Sequence, residues 1–238
     1  MSFLKNVSAK LNSVRYATVF FAHLLATPSQ RAYAWRWLGS QRKNYLLNHA
    51  MPWIVFGAID FLDECLKTCP NPRVFEYGSG GSTLYWLRKG AACVSVEHDP
   101  VWCQIVQARL SDIEKHVDLR LIEADAPTSN KLDPANPADF ASADLQYLDR
   151  PFKQYVQQID PFPDNTFDFI LIDGRARTSC LLHSLSKVKP GGYIILDNSD
   201  RDYYTLHFDL SAFEEYRFDG VPPVNVAYSR TSIYQRKV

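Results

Sequence analysis

The sequence predicts an α/β protein: a doubly wound, mostly parallel sheet with a helical N-terminal extension. Three observations carry that prediction. After residue 72, short apolar runs alternate with helical stretches. The first run leads straight into a glycine cluster, Gly78-Ser79-Gly80-Gly81-Ser82. Carboxylates then recur at or just past the ends of the runs, at Glu76, Glu97, Asp125, Asp173 and Asp197. The implied division is 1–72 for the extension and 73–238 for the sheet domain.

Each element follows from its pattern. In the extension, Leu4, Val7, Leu11, Val14, Thr18, Phe21 and Leu25 recur at spacings of three and four, the mark of an amphipathic helix. Pro28-Ser29-Gln30 breaks it. An aromatic-rich segment from Tyr33 to Leu47 then predicts a helix with buried rings and snorkelling cations. A further helix is expected over Trp53–Leu66, ending near Cys69-Pro70. Strands are expected at Arg73–Tyr77, Ala92–Glu97, Asp118–Glu123, Phe169–Ile172 and Tyr193–Leu196. Helices are expected between them at Thr83–Lys89, Pro100–Lys115 and Thr178–Lys187. The longer connection Ala126–Asp164 is polar, with a helical part around Phe152–Ile159. Lys189-Pro190-Gly191-Gly192 reads as a turn. A helix near Tyr203–Ser211 is followed by strands at Glu215–Phe218 and Val224–Tyr234, whose short connection makes them antiparallel.

Composition narrows the function classes. With 46% apolar and 22% charged residues, the chain is neither disordered nor fibrous. Its net charge of zero disfavours a nucleic-acid partner held by bulk positive charge. The zero conceals a split. The first acidic residue is Asp60, so residues 1–59 carry +7 and the remainder −7. Three readings of this basic start compete: a helix packing on the acidic remainder, peripheral membrane contact through residues 1–30, and an organellar presequence. The five cysteines, Cys65, Cys69, Cys93, Cys103 and Cys180, follow no zinc or disulfide spacing. They indicate a reducing compartment, so a cytoplasmic location is expected.

In an open α/β sheet, ligands bind beyond the carboxyl ends of the strands. Glycines there let the backbone turn tightly and approach a ligand closely. An acid at Glu97, ending the second strand, is placed to take both hydroxyls of a ribose. A dinucleotide fingerprint would need glycine where Thr83 stands, and no basic pocket awaits a pyrophosphate. A nucleoside carrying positive charge fits the acids better.

These pieces together resemble the class I S-adenosylmethionine-dependent methyltransferases. The matching residues are Val74–Ser82, Val96-Glu97, Phe167–Gly174 and Lys189–Tyr193, within residues 73–236. The resemblance implies a Rossmann-like, seven-stranded methyltransferase fold with S-adenosyl-L-methionine as cofactor. It implies that Glu76, Gly78, Ser79, Gly80 and Ser82 hold the methionine end, that Glu97 binds the ribose, and that Asp125 and Ala126 meet the adenine. Asp173 joins the cofactor side. The expected activity is methyl transfer to a small-molecule acceptor, at oxygen. Asp173, Asp197 and Asn198 also resemble the strand-end pattern with which catechol-type O-methyltransferases hold a divalent metal such as Mg²⁺. That family's following lysine is Ala176 here, flanked by Arg175 and Arg177. The other reading is that these acids hold the cofactor's amino group and cap helices. Asp173, Asp200 and Tyr203 are the candidate catalytic groups. His98 reads as a cofactor-pocket or surface histidine, and Trp53 as a pocket wall or core residue. Two other functions compete: an aminopropyl transferase-like enzyme, and a non-catalytic module of the same fold binding protein or membrane through its basic start.

Overall fold

The computed structural model describes residues 15–110 and 116–238. Residues 1–14, where the first helix is expected to begin, and 111–115, at the end of the expected Pro100–Lys115 helix, lie outside the described residues. Seven strands form one sheet: β1 (Arg73–Tyr77), β2 (Ala92–Glu97), β3 (Val117–Leu121), β4 (Phe167–Ile172), β5 (Val188–Asp197), β6 (Phe213–Gly220) and β7 (Ser229–Arg236). Their order is β3-β2-β1-β4-β5-β7-β6. β1 to β5 pair in parallel, and β7 runs antiparallel to both β5 and β6. The strand order turns around between β1 and β4, the place where such sheets open a crevice.

Alternation along the strands fills two cores. Val74, Phe169, Leu171 and Ile195 face one, and Phe75, Ile170, Ile172, Ile194 and Leu196 face the other. A period of two with apolar residues on both faces requires a cover on each side. The first face is covered by α4 (Phe56–Lys67), α5 (Gly81–Arg88) and α6 (Pro100–Leu110), the second by α7 (Lys153–Val156) and α8 (Arg177–Ser184).

The N-terminal helices form a layer over the first core: α1 over residues 15–26, α2 (Ala34–Ser40) and α3 (Tyr45–His49). Leu24 and Trp37 are fully buried in the same core as Val74 and Ile233. Side chains of this layer also satisfy the backbone between β6 and β7. Gln30 Oε1 accepts from the Val221 N–H (3.1 Å), Ser40 Oγ accepts from the Val224 N–H (2.8 Å), and Trp37 Nε1 donates to the Asn225 carbonyl. The docking is therefore apolar and amide-based. Among the described residues, the basic side chains of 15–59 make one ion pair with an acid, Arg36 with Asp60.

Several expected elements differ. The last strand begins at Ser229 rather than Val224, because the backbone of 221–225 bonds to the N-terminal layer instead of to a neighbouring strand. The helix expected near Tyr203–Ser211 is a single 3-10 turn, Asp202–Tyr204, pinned by the buried Tyr204. Trp53 precedes α4 in a bend instead of lying within a helix. The Lys189–Gly192 turn is an irregular stretch inside β5, with a register shift opposite Phe167–Phe169. Of the two dense aromatics in α2, Trp37 is buried and Trp35 is exposed.

Candidate active site

The glycine turn after β1 is built by its own sequence. Gly78 has φ of +97°, a left-handed conformation that disfavours side chains, and a Cβ there would lie 3.0 Å from Gly174. A Cβ on Gly81 would lie 2.2 Å from the Met51 carbonyl, so glycine lets the N-terminal layer close onto the turn. Thr83 Oγ1 accepts from the Gly80 N–H (2.9 Å) and donates to Glu76 Oε1, which also accepts from Ser95 Oγ (2.7 Å). Glu76 is fully buried beneath the turn and supports it from below. Burial pushes its carboxyl up to about 7, against the lowering effect of its hydroxyl donors.

Glu97 closes the opposite wall. Its Oε2 accepts from the Ser79 N–H (3.0 Å) and Ser79 Oγ (2.9 Å), and its Oε1 from the N–H groups of His98 (2.7 Å) and Asp99 (2.9 Å). Burial acts to raise its pKa, but the His98 side chain and the backbone donors outweigh burial and hold it below the usual range. Asp99 then caps α6, its Oδ1 accepting from Val101 and Trp102 N–H groups at 2.8 and 3.0 Å. Trp102 Nε1 reaches back to the Ser79 carbonyl (2.8 Å), fixing the turn from the side.

The far wall is formed by the ends of β4 and β5. Asp173, Asp197 and Arg177 meet there. Arg177 Nη2 lies 3.0 Å from Asp173 Oδ1 and Nη1 lies 3.6 Å from Asp197 Oδ2. Asp197 Oδ1 accepts from Thr231 Oγ1 (2.8 Å). Burial and the adjacent Asp197 carboxylate push Asp173 well above the usual carboxylate range, with Arg177 offsetting only part of this. Burial raises Asp197 as well, opposed by Arg177 and Thr231.

The two walls enclose a single cleft of about 460 Å³, within the size range of small-molecule sites. It runs from Gly78–Ser82 and Glu97 to Asp173, Asp197 and Asn198, with Leu46 and Trp53 from the N-terminal layer beside it. Five residues expected at the site, Glu76, Asp125, Ala126, Asp200 and Tyr203, do not line it. Glu76 lies beneath the turn. Asp125 Oδ2 instead accepts the Lys153 and Gln154 N–H groups (2.6 and 3.3 Å) at the start of α7. Asp200 is exposed, its Oδ1 accepting from the Arg230 N–H, and Tyr203 packs against Tyr204. The cleft is also lined by Trp102, Asp99, Asn225 and Ser229, to which the sequence pattern assigns no role. Only the first two carried a signal, in the strand-Asp-Pro junction that announces a capped helix. His98 lines the cleft, its Nε2 accepting from Arg175 Nε (3.0 Å), while Arg175 Nη1 pairs with Asp144 of the long connection (2.8 Å).

The expected Mg²⁺ ligands do not fit that ion. Arg177 already sits against Asp173 and Asp197, and Asn198 Nδ2 donates to Ser229 Oγ (2.9 Å). Among the described residues, no group of three or more His, Cys, Asp or Glu is arranged to hold a metal. No helix among them is long and apolar enough to cross a membrane.

The chain is similar in fold to several solved structures. The fold is that of class I methyltransferases. A candidate O-methyltransferase from Klebsiella pneumoniae is 16% identical, covering 81% of this chain and 87% of its own, with a TM-score of 0.54. An O-methyltransferase from Bacillus cereus solved with SAH is 17% identical over 82% and 92%, with a TM-score of 0.53. The cofactor-bound Rv0187 from MTB is 15% identical over 81% and 86%, with a TM-score of 0.52. No family model matches the sequence, and no curated protein matches it.

Proposed function

We propose that the chain is an S-adenosylmethionine-dependent methyltransferase acting on an oxygen of a small-molecule acceptor. The observation that carries this reading is the single cleft joining the Gly78–Ser82 turn and the ionised Glu97 to the β4 and β5 acids. A nucleoside fits the first end: the backbone can approach it at the glycines, and the Ser79 hydroxyl that donates to Glu97 Oε2 can rotate away and leave that oxygen to a ribose hydroxyl. Bound there, the cofactor supplies an already activated methyl group on a sulfonium. The protein's task is then alignment. Trp53 walls the acceptor side, while Asn198 and Ser229 offer hydrogen bonds. Asp173 takes the acceptor's proton. Its raised pKa makes it, once ionised, a stronger base than an ordinary carboxylate.

The similar structures support the cofactor, one of them having been solved with SAH and another with a bound cofactor. The aminopropyl-transferase reading needs free acids for a polycation, whereas Asp173 and Asp197 are held by Arg177. Calorimetry with S-adenosylhomocysteine tests the proposal: stoichiometric binding lost in Glu97→Ala supports it, and no binding sinks it. An acceptor screen following S-adenosylhomocysteine release then separates oxygen from nitrogen acceptors. It also separates an enzyme from a non-catalytic module.

A further inference from the structure

The ends of β4 and β5 bring together Asp173 and Asp197, which the sequence resemblance marks as cation ligands, yet the charge seated between them is a side chain of the protein. Arg177 opens α8 directly after Ala176, whose φ of 47° turns the backbone through the left-handed region. The guanidinium folds back over the strand ends and is only 11% exposed. Nη2 lies 3.0 Å from Asp173 Oδ1 and donates to the Asp173 carbonyl (3.2 Å). Nη1 donates to the Asp197 carbonyl and lies 3.6 Å from Asp197 Oδ2. Nε donates to the Gly174 carbonyl (3.1 Å). All three nitrogens are therefore engaged, by two carboxylates and three strand-end carbonyls.

We infer that Arg177 is the resident cation of this acid pair and occupies the place of a divalent ion, so the acceptor is oriented by protein groups and not by metal chelation. The part concerning the acceptor rests on the methyltransferase reading; the part concerning the cation does not. Mg²⁺ or Mn²⁺ would need the same carboxylate oxygens at about 2.0–2.2 Å, beside a guanidinium that is always charged. Arginine has the right form for the duty, since its planar fork spans two carboxylates and holds its charge at every working pH. It differs from a metal in one respect that matters for substrates. A bound ion keeps open coordination positions for an acceptor's paired oxygens, and this guanidinium has none to offer. Arg177 is thus a positioning residue, acting through Asp173.

Mn²⁺ titration of the full chain, with free Mn²⁺ read by electron paramagnetic resonance, tests the inference on wild type, Arg177→Ala and Arg177→Gln. Wild type is expected not to bind Mn²⁺ stoichiometrically. Removing the guanidinium leaves the buried Asp197 and the half-buried Asp173 uncompensated, so each variant should bind one Mn²⁺ about tenfold or more tighter than wild type. That gain should vanish in Arg177→Ala/Asp197→Asn. Stoichiometric binding by wild type that disappears in Asp197→Asn overturns the inference. So do folded Arg177 variants, verified by circular dichroism, that acquire no Mn²⁺. If neither variant folds, the wild-type titration decides alone. S-adenosylhomocysteine calorimetry on the same samples keeps the two readings apart: its failure in wild type removes the methyltransferase proposal and leaves the Mn²⁺ result standing.

Discussion

Glu97 and Asp173 stand at opposite walls of one cleft, and both are carboxylates that burial penalises. Their pKa values nevertheless move in opposite directions. Glu97 meets the N–H groups of Ser79, His98 and Asp99, which favour its ionised form. Asp173 has Asp197 as its neighbour, and one guanidinium must serve both. The contrast teaches that local donors decide the charge of a buried acid more than its depth does. On the proposed function, it also divides the labour of the cleft between a fixed anion at one end and a proton acceptor at the other.

The strongest way to break this division is Asp173→Asn. If Asp173 is the base, kcat falls by about 100- to 10,000-fold, the usual range for a lost general base, with S-adenosylhomocysteine affinity nearly unchanged. The wild-type rate should rise with pH along a limb above the ordinary carboxylate value of about 4. A limb at the ordinary value, or full activity in the variant, removes Asp173 from that role.

Glu76 gives the next largest effect, and it is read in stability. Its folded pKa of about 7 lies above the unfolded value, so its stabilising share is complete below about 4.3 and is lost as pH rises through 7. Glu76→Gln should therefore gain on wild type by up to about 3 kcal/mol between those limits, as followed by urea unfolding at stepped pH. A gap that does not change with pH would contradict the buried, proton-holding carboxyl. Glu97 is the mirror case: its contribution is present above its unfolded pKa and lost as pH falls through the lower folded value.

A smaller effect is expected from Glu97→Gln. One charged acceptor becomes an amide, which weakens S-adenosylhomocysteine binding by about 2 kcal/mol, roughly thirtyfold by calorimetry. An unchanged Kd would place the ribose elsewhere. Trp53→Ala should do least. The side chain is 52% exposed, so its loss should raise the acceptor KM by about a few fold and leave cofactor affinity intact. A loss of cofactor affinity there would move Trp53 to the other end of the cleft.

How much of this was legible beforehand depends on how local each feature is. The glycine turn was readable because Gly78, Gly80 and Thr83 organise one another within six residues. Glu97 was readable because β2 ends on it and Asp99-Pro100 starts the next helix at once. The bonding of Asp125 was not legible, because an acid past a strand looks the same whether it faces a ligand or caps a helix 28 residues on. The placement of Asp200 and Tyr203 outside the cleft lining was not legible either, because a dense polar run does not say what its side chains face.

The sequence by itself determined the alternation that makes the parallel sheet, the antiparallel final pair and the glycine turn, since periodicity and turn chemistry act over a few neighbouring residues. Only the tertiary structure decided which charges share a space. Among the described residues, the N-terminal layer packs through Leu24 and Trp37, and of its basic side chains Arg36 alone pairs with an acid. Arg177 reaches both Asp173 and Asp197, and thereby sets what the cleft can hold. Those outcomes follow from the distance and burial of groups far apart in the chain, and spacing along the chain encodes neither.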